Sequence, residues 1–93
     1  MEKDIYLTYL YDYYKELLTS KQREYFEDYY FEDLTMEEIA TNNNISKNAV
    51  SKSLIEVKEK LVYYENCLHL YDNKNKIMDI LDEDNILKIE EYI

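Results

Sequence analysis

Residues 34–54 decide the fold: Leu34-Thr35-Met36-Glu37-Glu38-Ile39-Ala40, then Asn42-Asn43-Asn44, then Ile45-Ser46-Lys47-Asn48-Ala49-Val50 and Leu54. Thr35 with Glu38 three residues on is the signature of a capping box, which opens a helix by satisfying two orphan donors. Ile39 and Ala40 give that helix an apolar side. The asparagine run predicts a turn, because Asn tolerates the left-handed backbone that ends helices. Ser46 caps a second helix, along which Ala49, Val50 and Leu54 recur at helical spacing. Two helices joined by so short a turn form a helix-turn-helix, the unit with which many proteins enter the major groove.

Composition surrounds this motif with more helix. The chain has 93 residues, with no Gly and no Pro. One domain is expected, and its turns fall to Asn, Asp, Ser and Thr. A domain of this size buries only about 60% of its unfolded surface. No run of roughly 18 apolar residues is present to span a bilayer, and Met1-Glu2-Lys3-Asp4 lacks a signal-peptide layout. A single Cys makes neither an internal disulfide nor a Cys-rich metal site. These features predict a cytoplasmic setting. The net charge is −10, from 11 basic and 21 acidic residues. Phosphate neutralisation by Lys and Arg supplies much of nucleic-acid affinity, so an acidic chain leans toward a protein partner, a basic one in particular. The twelve tyrosines fit either compositional bias or a surface for a partner.

Outward from the motif, residues 4–17 read as a first helix with Tyr6, Leu10, Tyr13, Tyr14 and Leu17 on one face and Tyr9 and Tyr11 off it. That face suits a core, or a tyrosine-rich dimer surface. Thr19 and Gln22 form a second capping box, so a helix is predicted from Ser20 to Glu32 with Tyr25, Phe26, Tyr29 and Tyr30 inward. The third helix spans about Met36 to Asn42. The fourth starts at Lys47 and keeps Val50, Leu54, Val57, Leu61, Tyr64 and Leu68 in step to about Tyr71. A helix that long outruns a three-helix core, so its second half needs cover from the C-terminal segment or a partner. Asp72-Asn73-Lys74-Asn75 reads as a linker. It divides a helix-turn-helix domain, residues 1–72, from a C-terminal segment, residues 73–93. Short helices are predicted there from Lys76 to Leu81 and from Asn85 to Tyr92, with Asp82-Glu83-Asp84 between them as a turn or cap.

Lys47, Asn48, Ser51 and Lys52 sit where a recognition helix offers side chains to base edges and phosphates. Lys58 and Lys60 extend the patch and Glu56 and Glu59 interrupt it. Lys21 and Arg23, in the first turn of the second helix, could meet a phosphate at that positive helix end, although Glu24, Glu27, Asp28, Glu32 and Asp33 follow closely. No Arg lies in the motif, and Arg on guanine is the commonest base contact. Catalysis has no foothold. There is no glycine for a phosphate loop, and Cys67 and His69, two apart, do not share a helix face. No cofactor or metal is expected.

The run Leu17-Leu18-Thr19-Ser20-Lys21-Gln22-Arg23-Glu24-Tyr25 resembles the bacterial YlxM-like proteins. So do Tyr29-Tyr30-Phe31-Glu32-Asp33-Leu34-Thr35, Glu38-Ile39-Ala40, Ile45-Ser46-Lys47-Asn48-Ala49-Val50, Lys60-Leu61, Tyr64-Glu65 and Leu68. The resemblance covers residues 5–71, and more broadly the pattern is similar to region 4 of sigma factors. It implies an all-α, sigma-region-4-like helix-turn-helix fold. It also implies a small regulatory role in the signal recognition particle (SRP) pathway, a link resting on gene neighbourhood. Members of the family are often described as DNA-binding. This chain departs where the family usually has Arg-Gln after the capping Ser and Lys-Arg further on: here stand Lys47-Asn48 and Leu54-Ile55-Glu56. The departure leaves the recognition surface less cationic. The expected function is therefore a non-enzymatic accessory protein that binds an SRP protein or RNA–protein complex, with a DNA-binding regulator as the alternative and a homodimer through the fourth helix as a further expectation.

Overall fold

The computed structural model describes residues 3–81 and 83–92. Six α-helices and no strand occur among them: α1 Ile5–Tyr14, α2 Ser20–Tyr30, α3 Met36–Asn43, α4 Lys47–Leu68, α5 Leu70–Ile80 and α6 Glu83–Ile89, with 3-10 turns at Lys15–Leu17 and Glu90–Tyr92. α1, α2 and α3 all pack on α4. No helix of the described residues is long and apolar enough to cross a membrane. The predicted caps form as read. Thr19 and Gln22 exchange both capping-box bonds, as do Thr35 and Glu38, and Ser46 Oγ accepts from the Ala49 amide.

In a chain without glycine, left-handed backbone must come from residues that tolerate it, chiefly Asn, Asp and His. Asp33, Asn44 and His69 take it, at φ 56°, 55° and 55°. Asn44 closes α3 as the sequence predicts: its amide bonds the Thr41 carbonyl and the next amide, Ile45, reaches Ala40 at 3.0 Å. His69 is not predicted as a turn. It ends α4 at Leu68, three residues before the expected Tyr71. The helix restarts at once, so α5 runs through Asp72-Asn73-Lys74-Asn75 and the proposed linker is helical. Of Asp82-Glu83-Asp84, read as a turn or cap, Glu83 and Asp84 form the acidic first turn of α6, and Asp82 lies outside the described residues.

The core has two parts. Leu7, Leu10, Tyr11, Tyr14, Leu18 and Phe26 meet Val57 and Leu61 in one; Tyr29, Ile39 and Ala40 meet Val50 and Leu54 in the other; Tyr30 packs against both. The inward face of α1 is thus Leu7-Leu10-Tyr11-Tyr14, rotated from the predicted stripe. Leu17 is exposed because the chain tightens to a 3-10 turn before it. Tyr11 turns inward, stacks on Phe26 with centroids 4.4 Å apart, and donates its hydroxyl to Glu27. The other tyrosines of α1 grip α5. Tyr71 stacks on Tyr9 at 5.7 Å and meets Tyr6 and Tyr13 edge-on, a geometry that adds roughly 0.5–1.5 kcal/mol per pair beyond burial. The tyrosine surface is thereby used within the chain.

On α4 the buried stripe is Val50, Leu54, Val57, Leu61 and Glu65, with Leu68 exposed. The Glu65 carboxylate accepts from Tyr14 Oη at 2.6 Å, from the Tyr71 amide at 3.2 Å and from the Asp72 amide at 3.0 Å. Tyr14 Oη in turn accepts from the Leu70 amide at 3.1 Å. His69 supplies no side-chain cap, so two remote side chains satisfy the first three amides of α5. α5 packs on both α1 and α4, and the molecule is long, 49 × 24 × 22 Å. Its radius of gyration of 15.8 Å exceeds the ~12 Å of a compact chain this size.

Replacing Glu65 with Leu strands two amides and the Tyr14 hydroxyl, and should cost about 3 kcal/mol, or on the order of 15 °C in Tm. Thermal melts check the loss, and hydrogen exchange should show the amides of Tyr71 and Asp72 deprotected. An unchanged Tm would show that the cap carries nothing. Burial and the hydrogen bond to Glu65 push the Tyr14 hydroxyl up to about 12, and burial with the bond to Glu27 raises Tyr11 as well. Both stay protonated in the folded chain where the unfolded chain ionises near pH ~10. Stability is therefore whole below that pH and falls as pH rises toward 12. Melts across this range should show the fall, and Tyr14→Phe should make it shallower while Tyr11 keeps the remainder.

Candidate nucleic-acid or partner interface

The start of α4 is presented as a recognition helix is. The Asn44 turn sets α3 against α4, Ile39, Ala40, Val50 and Leu54 seal the joint, and Lys47, Asn48, Ala49 and Lys52 remain exposed with Ser51 half-buried. Asn48, Ser51 and Lys52 border a shallow depression of about 430 Å³ that continues along the helix to Glu56 and Glu59. A second groove, of about 620 Å³, lies between the motif and the N-terminal segment, with Lys3, Asp33, Glu37 and Lys47 on its walls.

The charges on this surface are largely spent. Lys47 pairs with Glu37 of α3 at 2.9 Å, and Lys47 holds the Glu37 carboxyl below the usual carboxylate range. The sequence stretch around Lys47 contains no acid, but the fold brings one from the neighbouring helix. Lys3 is also engaged, with Asp33 at 2.6 Å and over the Tyr29 ring at 4.8 Å. Lys60, expected to extend the basic patch, turns half-buried to Gln22 and donates to its Oε1 at 3.1 Å. Among the described residues Lys52 makes no ion pair within 4.0 Å, and Glu56 follows one turn on.

Lys21 and Arg23 stand apart from this surface. Lys21 pairs with Glu24 at 3.2 Å and reaches Asn43 Oδ1 at 3.5 Å, while Arg23 pairs with Glu16 at 3.3 Å. No hydrogen bond or ion pair among the described residues joins either to the candidates on α4. The surface beside Arg23 is anionic. Glu24, Glu27, Asp28 and Glu32 line a shallow depression of about 310 Å³ with Arg23 at its edge. Burial, reinforced by Glu24, Glu32 and Glu27, raises the Asp28 carboxyl. Sequence reasoning noted these acids only as a weakness of an anion site. Their spacing along and just past one helix was the signal that they line one surface.

Comparison with known proteins agrees with the geometry. The family UPF0122, described as "Putative helix-turn-helix protein, YlxM / p13 like", matches residues 1–92. It therefore reaches past residue 71, where the visible resemblance stops. UPF0122 protein OB1530 of Oceanobacillus iheyensis is 33% identical over 93 residues, covering 100% of this chain and 89% of its own length. UPF0122 proteins Teth514_1714 of Thermoanaerobacter sp. and Teth39_1278 of Thermoanaerobacter pseudethanolicus are each 39% identical over 79 residues, 85% of this chain and 68% of theirs. With capping boxes, turn and recognition helix all in place, this all-α chain belongs to the YlxM / p13-like helix-turn-helix family.

Proposed function

We propose that this chain is a small, non-enzymatic cytoplasmic regulatory protein that works by binding a basic macromolecular partner, and that this partner is a protein or RNA–protein complex of the SRP pathway. The observation that carries the reading is the charge distribution. The chain bears −10 overall, Glu24, Glu27 and Asp28 of α2 line one depression with Glu32 just past the helix end, and the recognition helix has its first lysine tied to Glu37. Such a surface attracts cationic partners and repels phosphate. The SRP assignment comes from the family resemblance. Purified chain should bind the SRP protein, alone or with its RNA, at micromolar concentration. Glu24→Lys with Asp28→Lys should weaken that binding at least roughly tenfold, whereas Lys52→Glu should change it little. Absence of binding to both forms would refute the reading.

A second reading is favoured by one specific observation, the exposed Asn48 and Lys52 beside a half-buried Ser51 on a well-formed helix-turn-helix. As a DNA-binding regulator the chain would use Lys47, Asn48, Ser51 and Lys52 in the major groove. Band shifts at low salt should then appear, weaken steeply with added salt, and vanish for Lys47→Glu with Lys52→Glu. Glu37→Gln, which frees Lys47, should strengthen them several-fold. A chain that shifts no DNA at low salt, Glu37→Gln included, would eliminate this reading.

A further inference from the structure

One flank of α4 is left open by every other helix. Beside the core-facing stripe runs an apolar groove of about 680 Å³, bordered by Ser51, Ile55, Lys58, Glu59, Val62, Tyr63 and Asn66. Ile55 is 45% and Tyr63 64% exposed, large values for apolar side chains beside a packed core. The positions 51, 55, 58 and 62 advance by four, three and four residues, the seam spacing of paired helices.

We propose that this groove is filled by α4 of a second copy, running antiparallel about a two-fold axis between Lys58 and Glu59. In a two-fold interface, residue i of one copy meets j of the other while j meets i. This axis sets Ser51 against Asn66, Ile55 against Val62 and Lys58 against Glu59, each pair occurring twice. Polar faces polar, aliphatic faces aliphatic and cation faces anion, with Tyr63 flanking the aliphatic pair. Neighbouring registers lose the match. Sliding by one turn opposes Ile55 to Glu59 and Val62 to Lys52 in one direction, and Ile55 to Asn66 in the other. A parallel, in-register pair would set Lys58 on Lys58 and Glu59 on Glu59. The charge pattern therefore specifies one partner, one direction and one register. The pairing leaves Lys47, Asn48 and Lys52 outside it and takes only Ser51 from the residues the DNA reading would use.

Sedimentation equilibrium of the full chain, repeated for charge variants at exposed positions, tests this. The wild-type chain should sediment at twice its chain mass. Lys58→Glu and Glu59→Lys should each raise the dimer Kd roughly a hundredfold or more, because each sets like charges together twice. An equimolar mixture of the two variants should form a heterodimer, and the double variant should pair with itself. Net charge alone predicts otherwise. Lys58→Glu moves the chain from −10 to −12 and Glu59→Lys from −10 to −8, so simple repulsion would make the second variant associate more tightly. A monomeric wild type overturns the proposal. So do single variants that still dimerise, or a mixture that stays monomeric while circular dichroism shows both variants helical.

Discussion

The Glu65 carboxylate fixes how the C-terminal half of the chain meets the N-terminal half. A charge is costly to remove from water unless hydrogen bonds replace its solvation. Here a hydroxyl from α1 and two amides from α5 converge on one buried side chain of α4. Those bonds hold three helices at a single point. They also explain how α4 can stop at a left-handed His69 and restart without a loop. The first amides of α5 need partners as soon as the ladder breaks, and Glu65 and Tyr14 are already beneath them. The tyrosine cage around Tyr71 then fixes the direction in which α5 leaves.

Legibility in the sequence follows the reach of each interaction. The capping boxes at Thr19 and Thr35, the Ser46 cap and the Asn44 turn are made between residues three to five apart, and all four were readable. The break at His69 was not, because Glu65, six and seven residues from the amides it caps, is held in place by Tyr14, more than fifty residues away in the chain, and Tyr14 itself caps the Leu70 amide. The polar run Asp72-Asn73-Lys74-Asn75 reads as a linker only while its cap is invisible. The inward turn of Tyr11 likewise rests on Glu27 of another helix.

The candidate interface divides along the same line. That Lys47, Asn48, Ser51 and Lys52 lie together at an exposed helix start was visible from spacing alone. That Glu37 neutralises Lys47, and that Lys60 points away to Gln22, are facts of tertiary geometry. The first offsets positive charge at the helix start, and the second turns an ammonium away from it. The family membership and the fold therefore carry a shape suited to nucleic acid, while the net charge of −10 is what the proposal of a cationic partner rests on.

The position of Tyr30 has a mechanical consequence. Its ring is a common wall between the core under α1 and the core of the helix-turn-helix. A change of packing in one chamber is therefore felt at the wall of the other, and the helix-turn-helix is braced from behind by the core under α1. A surface braced in this way has less conformational entropy to lose on docking than an unsupported one.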